Sequence, residues 1–272
     1  MTRRIPAMWA RLHDSGQRAL VPFITAGFPR PDATANIIKA SVDAGADMIE
    51  IGVPFSDPLA DGPAIEHSSQ VALENGVDLR WILSVIEDAR HSTDAPLLLM
   101  GYYNPFLQYG LKTFCRDAAN AGVDGLIVPD LPPDEADAFK QQADSTGLSM
   151  VFLIAPTTTN QRIRAIGSAS TDFCYCVSVT GVTGARAKVE QRTEDYLDRV
   201  RKLLHKPIVV GFGVSKPEHV TMLGRHADGV VVGSALVPLL EAAAANGSFA
   251  HVRDTLAPLV EAAHRQDNSN RV

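Results

Sequence analysis

The sequence predicts an α/β protein built as a single (β/α)8 TIM barrel, and three observations carry that expectation. Eight short apolar runs recur along the 272 residues, helix-forming segments separate them, and the G-x-G-x-x-G fingerprint of a dinucleotide-binding sheet is absent. Eight strand–helix units at this length favour a closed barrel over an open doubly wound sheet. No Ser/Gly-rich linker, composition break or charge block divides the chain, so residues 1–272 read as one domain.

The runs are Leu20–Thr25, Met48–Val53, Leu97–Gly101, Gly125–Pro129, Met150–Ile154, Phe173–Ser178, Ile208–Phe212 and Gly229–Val232. Helix starts fall between them at Pro31-Asp32, Asp78, Pro133-Asp134-Glu135, Thr193-Glu194-Asp195 and Ser215-Lys216-Pro217-Glu218. Three helix-to-strand joints look alike: Ala44-Gly45-Ala46-Asp47, Ala121-Gly122-Val123-Asp124 and His226-Ala227-Asp228-Gly229. Each suits a helix C-cap leading into a strand. Extra helices over about residues 2–13 and 249–264 are expected to cover the barrel's bottom and flank.

Composition narrows the function classes. A chain that is 46% hydrophobic and 21% charged can bury a large core, and a net charge of -6 with scattered basic residues argues against nucleic acid. Cys115, Cys174 and Cys176 form an odd, sparse set suited to a reducing compartment, and no nearby His or third Cys completes a metal site. Arg3-Arg4 is followed by no long apolar signal core, and no apolar run approaches the roughly 20 residues of a membrane span. A cytoplasmic protein, free of membrane and metal, is expected.

In such a barrel, chemistry sits at the C-terminal ends of the strands. The second run carries a lone carboxylate, Glu50, and the loop after it, stiffened by Pro54, Pro58 and Pro63, carries Asp57 and Asp61. Burial favours the neutral form of Glu50, and a strand-borne and a loop-borne acid can meet over one pocket. The alternative is a structural ion pair for Glu50 and turn-shaping for the aspartates. Tyr175, opposite the two cysteines of its strand, faces the barrel interior, for substrate or for plain packing. Glycine marks three further strand ends, in Gly181-Val182-Thr183-Gly184, Gly211-Phe212-Gly213 and Gly233-Ser234-Ala235. Gly213, Gly233 and Ser234 would bind a phosphate through backbone amides and a short helix's dipole, with Gly184 closing from the side. A bare helix cap is the alternative for Gly233-Ser234. Residues 179–191 read as a lid whose closure brings Thr183 towards Asp61, and 54–63 as a second mobile loop.

With these residues assembled, the chain resembles the tryptophan synthase α-subunit family over nearly its whole length. The most specific stretch is Glu50-Ile51-Gly52-Val53-Pro54-Phe55-Ser56-Asp57-Pro58-Leu59-Ala60-Asp61-Gly62-Pro63; Pro22–Gly27, Gly181–Gly184 and Gly211–Ser215 match closely as well. The resemblance implies retro-aldol cleavage of indole-3-glycerol phosphate to indole and glyceraldehyde 3-phosphate. It gives Glu50 the acid–base steps, Asp61 the indole N–H, and Tyr175 an orienting role. It implies a substrate pocket of Phe23, Ile65, Met100, Tyr102, Ile127, Thr183 and Phe212. It also implies no cofactor in this chain, and an αββα complex whose β subunit carries pyridoxal phosphate (PLP) and receives indole through a tunnel. Pro54, Asp57, Asn104, Asp130 and Pro132 are the candidate β contacts, with turn chemistry as the alternative for each. Three other functions stay open: a stand-alone indole-releasing lyase, a phospho-sugar isomerase, and a non-catalytic phosphometabolite sensor. The isomerase would want a Lys or His electrophile at a strand end, and the sensor would have no use for both acids.

Overall fold

The structure, a computed structural model, describes residues 3–177, 186–211 and 213–265. Its parallel strands are β1 Ala19–Thr25, β2 Ile49–Gly52, β3 Leu97–Met100, β4 Gly125–Ile127, β5 Ser149–Val151, β6 Leu153–Ile154, β7 Cys174–Val177, β8 Ile208–Gly211 and β9 Gly229–Val232. They run in the order β5-β4-β3-β2-β1-β9-β8-β7-β6. The two ends of that order, β5 and β6, are halves of one predicted run, so the sheet curls into a nearly closed barrel. The run divides at Phe152, whose N–H leaves the ladder for the Ser170 hydroxyl at 3.2 Å.

Side-chain alternation along the strands builds two cores. Ala19, Val21, Leu98, Ile127, Val151, Val209 and Val231 fill the barrel, together with Ile5, Met8 and Leu12 of helix α1 (Arg4–Ser15). Helix α1 thus plugs the bottom, as predicted. Leu20, Ile24, Ile49, Ile51, Leu97 and Leu99 point outward against the helices. Burial on both faces is why these strands read as continuous apolar runs.

The outer ring differs from expectation at two places. Helix α12 (Ala250–His264) packs against α2 (Ala33–Asp43), α10 (Pro217–Gly224) and β1, so it completes the ring and is no appendage. The added helices are α3 (Pro63–Glu74), α5 (Tyr103–Tyr109) and α11 (Val237–Ala245), which follow β2, β3 and β9. Helix α9 (Arg186–Arg201) begins seven residues before Thr193, where the sequence predicted its start. Arg186–Arg192 contains no Gly or Pro and is rich in helix formers, so nothing stops the helix from reaching back. Arg186–Gln191 is therefore helix where a lid was expected, and residues 179–185 lie outside the described residues. The start at Asp78 is as read: its carboxylate accepts the Trp81 N–H at 2.8 Å and caps α4 (Leu79–Arg90).

The look-alike joints share more than a cap. Asp47, Asp124 and Asp228 each donate a backbone N–H to a residue at the start of the neighbouring strand, Leu20, Leu97 and Ile208, at 3.1, 2.8 and 2.9 Å. Each carboxylate accepts that same residue's N–H in return, at 3.0, 2.9 and 3.0 Å. Arginines complete the clamps: Arg11 on Asp47 at 2.6 Å, Arg90 on Asp124 at 2.9 Å and Arg201 on Asp228 at 2.9 Å. Thr171 repeats the device with Met150 through its hydroxyl, at 3.1 Å. The barrel's bottom rim is thereby stapled strand to strand.

Candidate active site

Glu50 sits in the middle of β2, facing into the barrel between its register partners Phe23 and Leu98. It is 1% exposed, and neither carboxylate oxygen has a hydrogen-bond partner among the described residues. Burial, helped by the nearby charge of Asp61, pushes its carboxyl up to about 8. Asp61 stands just before Gly62, the residue that leads into α3. Burial raises the Asp61 carboxyl, a hydrogen bond with Tyr102 lowers it, and the charge of Glu66 raises it. The Tyr175 phenol, 7% exposed, is held well above its ordinary range, by burial first and then by Glu50.

A cavity of about 280 Å³ opens at the C-terminal ends of the strands. Its walls bring together Glu50, Asp61, Tyr175, Gly213, Gly233 and Ser234, with Phe23, Ile65 and Met100 among the apolar faces. Gly213 adopts a φ of +47°, a conformation open to glycine. Gly233 to Leu236 form a turn closed by the Leu236 N–H on the Gly233 carbonyl at 2.7 Å, and Ser234 is exposed in it. Helix α11 starts only at Val237, with Leu236 as its N-cap, so Gly233-Ser234 neither caps a helix nor opens the short one expected there.

Two more glycines admit the rings that shape this cavity. A Cβ at Gly52 would lie 2.5 Å from the Phe23 ring, and one at Gly211 would lie 2.5 Å from the Tyr175 phenolic oxygen. Sequence reasoning took Gly211 only as part of a phosphate loop. It also missed Pro129, Leu153, Val177 and Val231 as walls. Alternation held the signal for two of them, since Val177 shares a face with Tyr175 and Val231 with Gly233.

Several predicted positions fall elsewhere. Ile127 is 1% exposed in the interior cluster with Leu98 and Val151, beside the wall residue Met100 but not itself in the lining. Tyr102 is 4% exposed and lies under the loop that carries Asp61, not in the cavity wall. Pro54 is largely buried, and what it exposes lines an open surface cavity beside the start of α4 with Asp78 and Arg80. Asp57, Asn104 and Asp130 are exposed and Pro132 is half-buried. Asp130 also accepts the Tyr103 N–H at 2.9 Å, the turn chemistry weighed as its alternative. Gly184, Thr183 and Phe212 lie outside the described residues. All three cysteines are buried and unbridged. Among the described residues, no group of three His, Cys, Asp or Glu is placed to hold a metal, and no helix is long and apolar enough to cross a membrane.

The family model for the tryptophan synthase alpha chain matches residues 9–264. The chain belongs to that family. It is a lyase of tryptophan biosynthesis, the subunit that cleaves indole-3-glycerol phosphate. The alpha chain of Roseiflexus castenholzii is 48% identical over 239 residues, covering 88% of this chain and 92% of that protein. That of Chloroflexus aurantiacus is 45% identical over 258 residues, covering 93% and 97%. Among solved structures, tryptophan synthase subunit alpha from Legionella pneumophila superposes with a TM-score of 0.87 at 32% identity, covering 96% of this chain and 98% of that one. Tryptophan synthase of Mycobacterium tuberculosis gives 0.87 at 35% identity, covering 97% and 100%.

Proposed function

We propose that the cavity over Glu50 is where this tryptophan synthase alpha chain breaks its substrate, with Glu50 moving the protons, Asp61 holding the indole N–H and Tyr175 orienting the ring. The observation that carries this reading is a carboxyl 1% exposed whose two oxygens have no partner among the described residues. Burial of that kind costs stability unless a ligand uses the group.

The chemistry balances on these side chains. Glu50, protonated at neutral pH, donates its proton to indole C3, which gives an indolenine cation. Asp61 accepts the ring N–H bond and offsets the positive charge on nitrogen. The Glu50 carboxylate then takes the proton of the hydroxyl on the adjoining side-chain carbon. The O–H electrons form the aldehyde C=O, the C–C bond breaks, and its electrons neutralise the indolenine to indole. Glu50 ends as it began, with its proton restored. Gly213, Gly233 and Ser234 hold the phosphate at the rim, and by resemblance Gly184, Thr183 and Phe212 close over the substrate. A Glu50 carboxyl near 8 suits an acid that must be protonated at pH 7.

The chain pairs with a tryptophan synthase beta subunit. In this reading the cofactor, PLP, belongs to that partner, the α reaction requires none, and the setting is the cytoplasm. Asp57 and Asn104 are the exposed candidates for the contact, with Asp130 and Pro132 beside them. The Roseiflexus and Chloroflexus relatives carry the alpha-chain name, which supports the complexed enzyme over a stand-alone indole lyase.

The test is indole release from indole-3-glycerol phosphate by the purified chain, with and without a beta subunit, beside Glu50→Gln. Slow release, acceleration by the beta subunit and a dead variant are expected. Fast release indifferent to the beta subunit would instead mark a stand-alone lyase. Equal turnover by the variant would remove Glu50 from the chemistry.

A further inference from the structure

Asp61 rides on a loop with little of its own to hold it. Between Pro54 and Gly62, residues Ser56, Asp57, Leu59 and Ala60 are exposed, Leu59 to 85%. Tyr102, buried just past β3, stands beneath this loop. Its phenolic oxygen accepts the Leu59 N–H at 3.1 Å and the Ala60 N–H at 3.0 Å. Its ring packs against Phe55 with centroids 5.2 Å apart. Asp61 comes next in the loop after Ala60, and the hydroxyl holds its carboxyl down. A phenol has two acceptor lone pairs and one proton. Two amides occupy the lone pairs, so the proton goes to Asp61.

We propose that Tyr102 is a positioning residue for the cleavage: it pins the loop over the cavity and aims the Asp61 carboxylate by donating its one hydroxyl proton to it. The inference rests on the reading of Asp61 given above. It assigns Tyr102 a place behind the reacting groups, without contact to the substrate.

The surroundings of Asp61 show what the hydroxyl is worth. Burial and the acid Glu66, from the first turn of α3, disfavour its charge, while Glu50, from β2, is neutral where Asp61 titrates. Among the described residues, Tyr102 is the group that favours that charge. Burial also holds the Tyr102 phenol above its ordinary range, so it remains a donor throughout the working pH. Without the hydroxyl, Asp61 would stay neutral to higher pH, and a neutral Asp61 cannot balance a cationic indolenine.

Tyr102→Phe isolates the hydroxyl, because the ring against Phe55 is kept. The full chain carrying this change should melt close to wild type and bind inorganic phosphate equally well. Its kcat for indole release should fall roughly tenfold, the scale of one charge-assisted hydrogen bond, and the acid limb of its pH–rate profile should move up. A carbon-13 carboxyl titration of Asp61 by NMR should move up with it, a readout that needs no turnover. An unmoved Asp61 titration and acid limb would overturn the proposal, even if stability fell. Wild-type chain that releases no indole would overturn the reading of the site instead, and the titration would still decide the role of Tyr102.

Discussion

Two buried carboxylates stand three residues apart, Asp47 just before strand β2 and Glu50 within it, and the protein treats the two in opposite ways. Asp47, at the bottom, has a side chain 1% exposed and receives the Leu20 N–H, Arg11 at 2.6 Å and His264 at 2.9 Å. Glu50, three positions on towards the top, is as deeply buried and receives nothing from the described residues. A paired carboxylate fastens strands and helices together. An unpaired one raises its affinity for a proton and stands ready for a ligand. The barrel thus separates stability from chemistry along a single stretch of chain.

The largest effect that could break this contrast is on turnover. Glu50→Gln keeps the shape and removes the transferable proton. Indole release should drop by about 100- to 10,000-fold, the usual span of general acid–base catalysis, while glycerol 3-phosphate still binds by calorimetry. The matching change below it, Asp47→Ala, strands a buried Leu20 N–H and frees the half-exposed Arg11 to solvent. It should cost about 2 kcal/mol by urea unfolding and leave turnover per folded molecule near wild type.

Stability against pH sharpens the comparison. The folded state raises the Glu50 carboxyl from 4.5 to about 8, so the native chain binds a proton that the unfolded chain has released. Stability is therefore lost as pH rises from 4.5 towards 8, by about 3 kcal/mol at pH 7. Glu50→Gln should lack that slope, so its stability relative to wild type should improve from pH 5 to pH 7. Tyr175→Phe should be the mildest change, within about tenfold of wild-type turnover if the hydroxyl only orients. A loss as deep as that of Glu50→Gln would make Tyr175 a proton carrier.

What the sequence disclosed follows the range of the interactions involved. Glu50 was legible because a charge inside an apolar strand is a local anomaly, and the glycines at Gly213 and Gly233 because strand ends are local too. The clamp at Asp47 was half legible: the joint stood out, but its partner Leu20 lies 27 residues away. The role of Tyr102 depends on how the loop of Leu59 and Ala60 folds back, more than 40 residues earlier in the chain, whereas the resemblance had put it in the substrate pocket. The start of α9 was misplaced because the sequence near Arg186 carries no capping signal.

The central claim is that Glu50 is a buried acid kept without a partner so that it can carry a proton. Isotope-edited infrared spectroscopy of the Glu50 carboxyl in the free chain, taken between pH 5 and pH 9, tests it directly. The account predicts a protonated C=O band that persists at pH 7 and gives way to carboxylate near pH 8. A carboxylate band already complete by pH 6 would show a charged, compensated group and contradict the account.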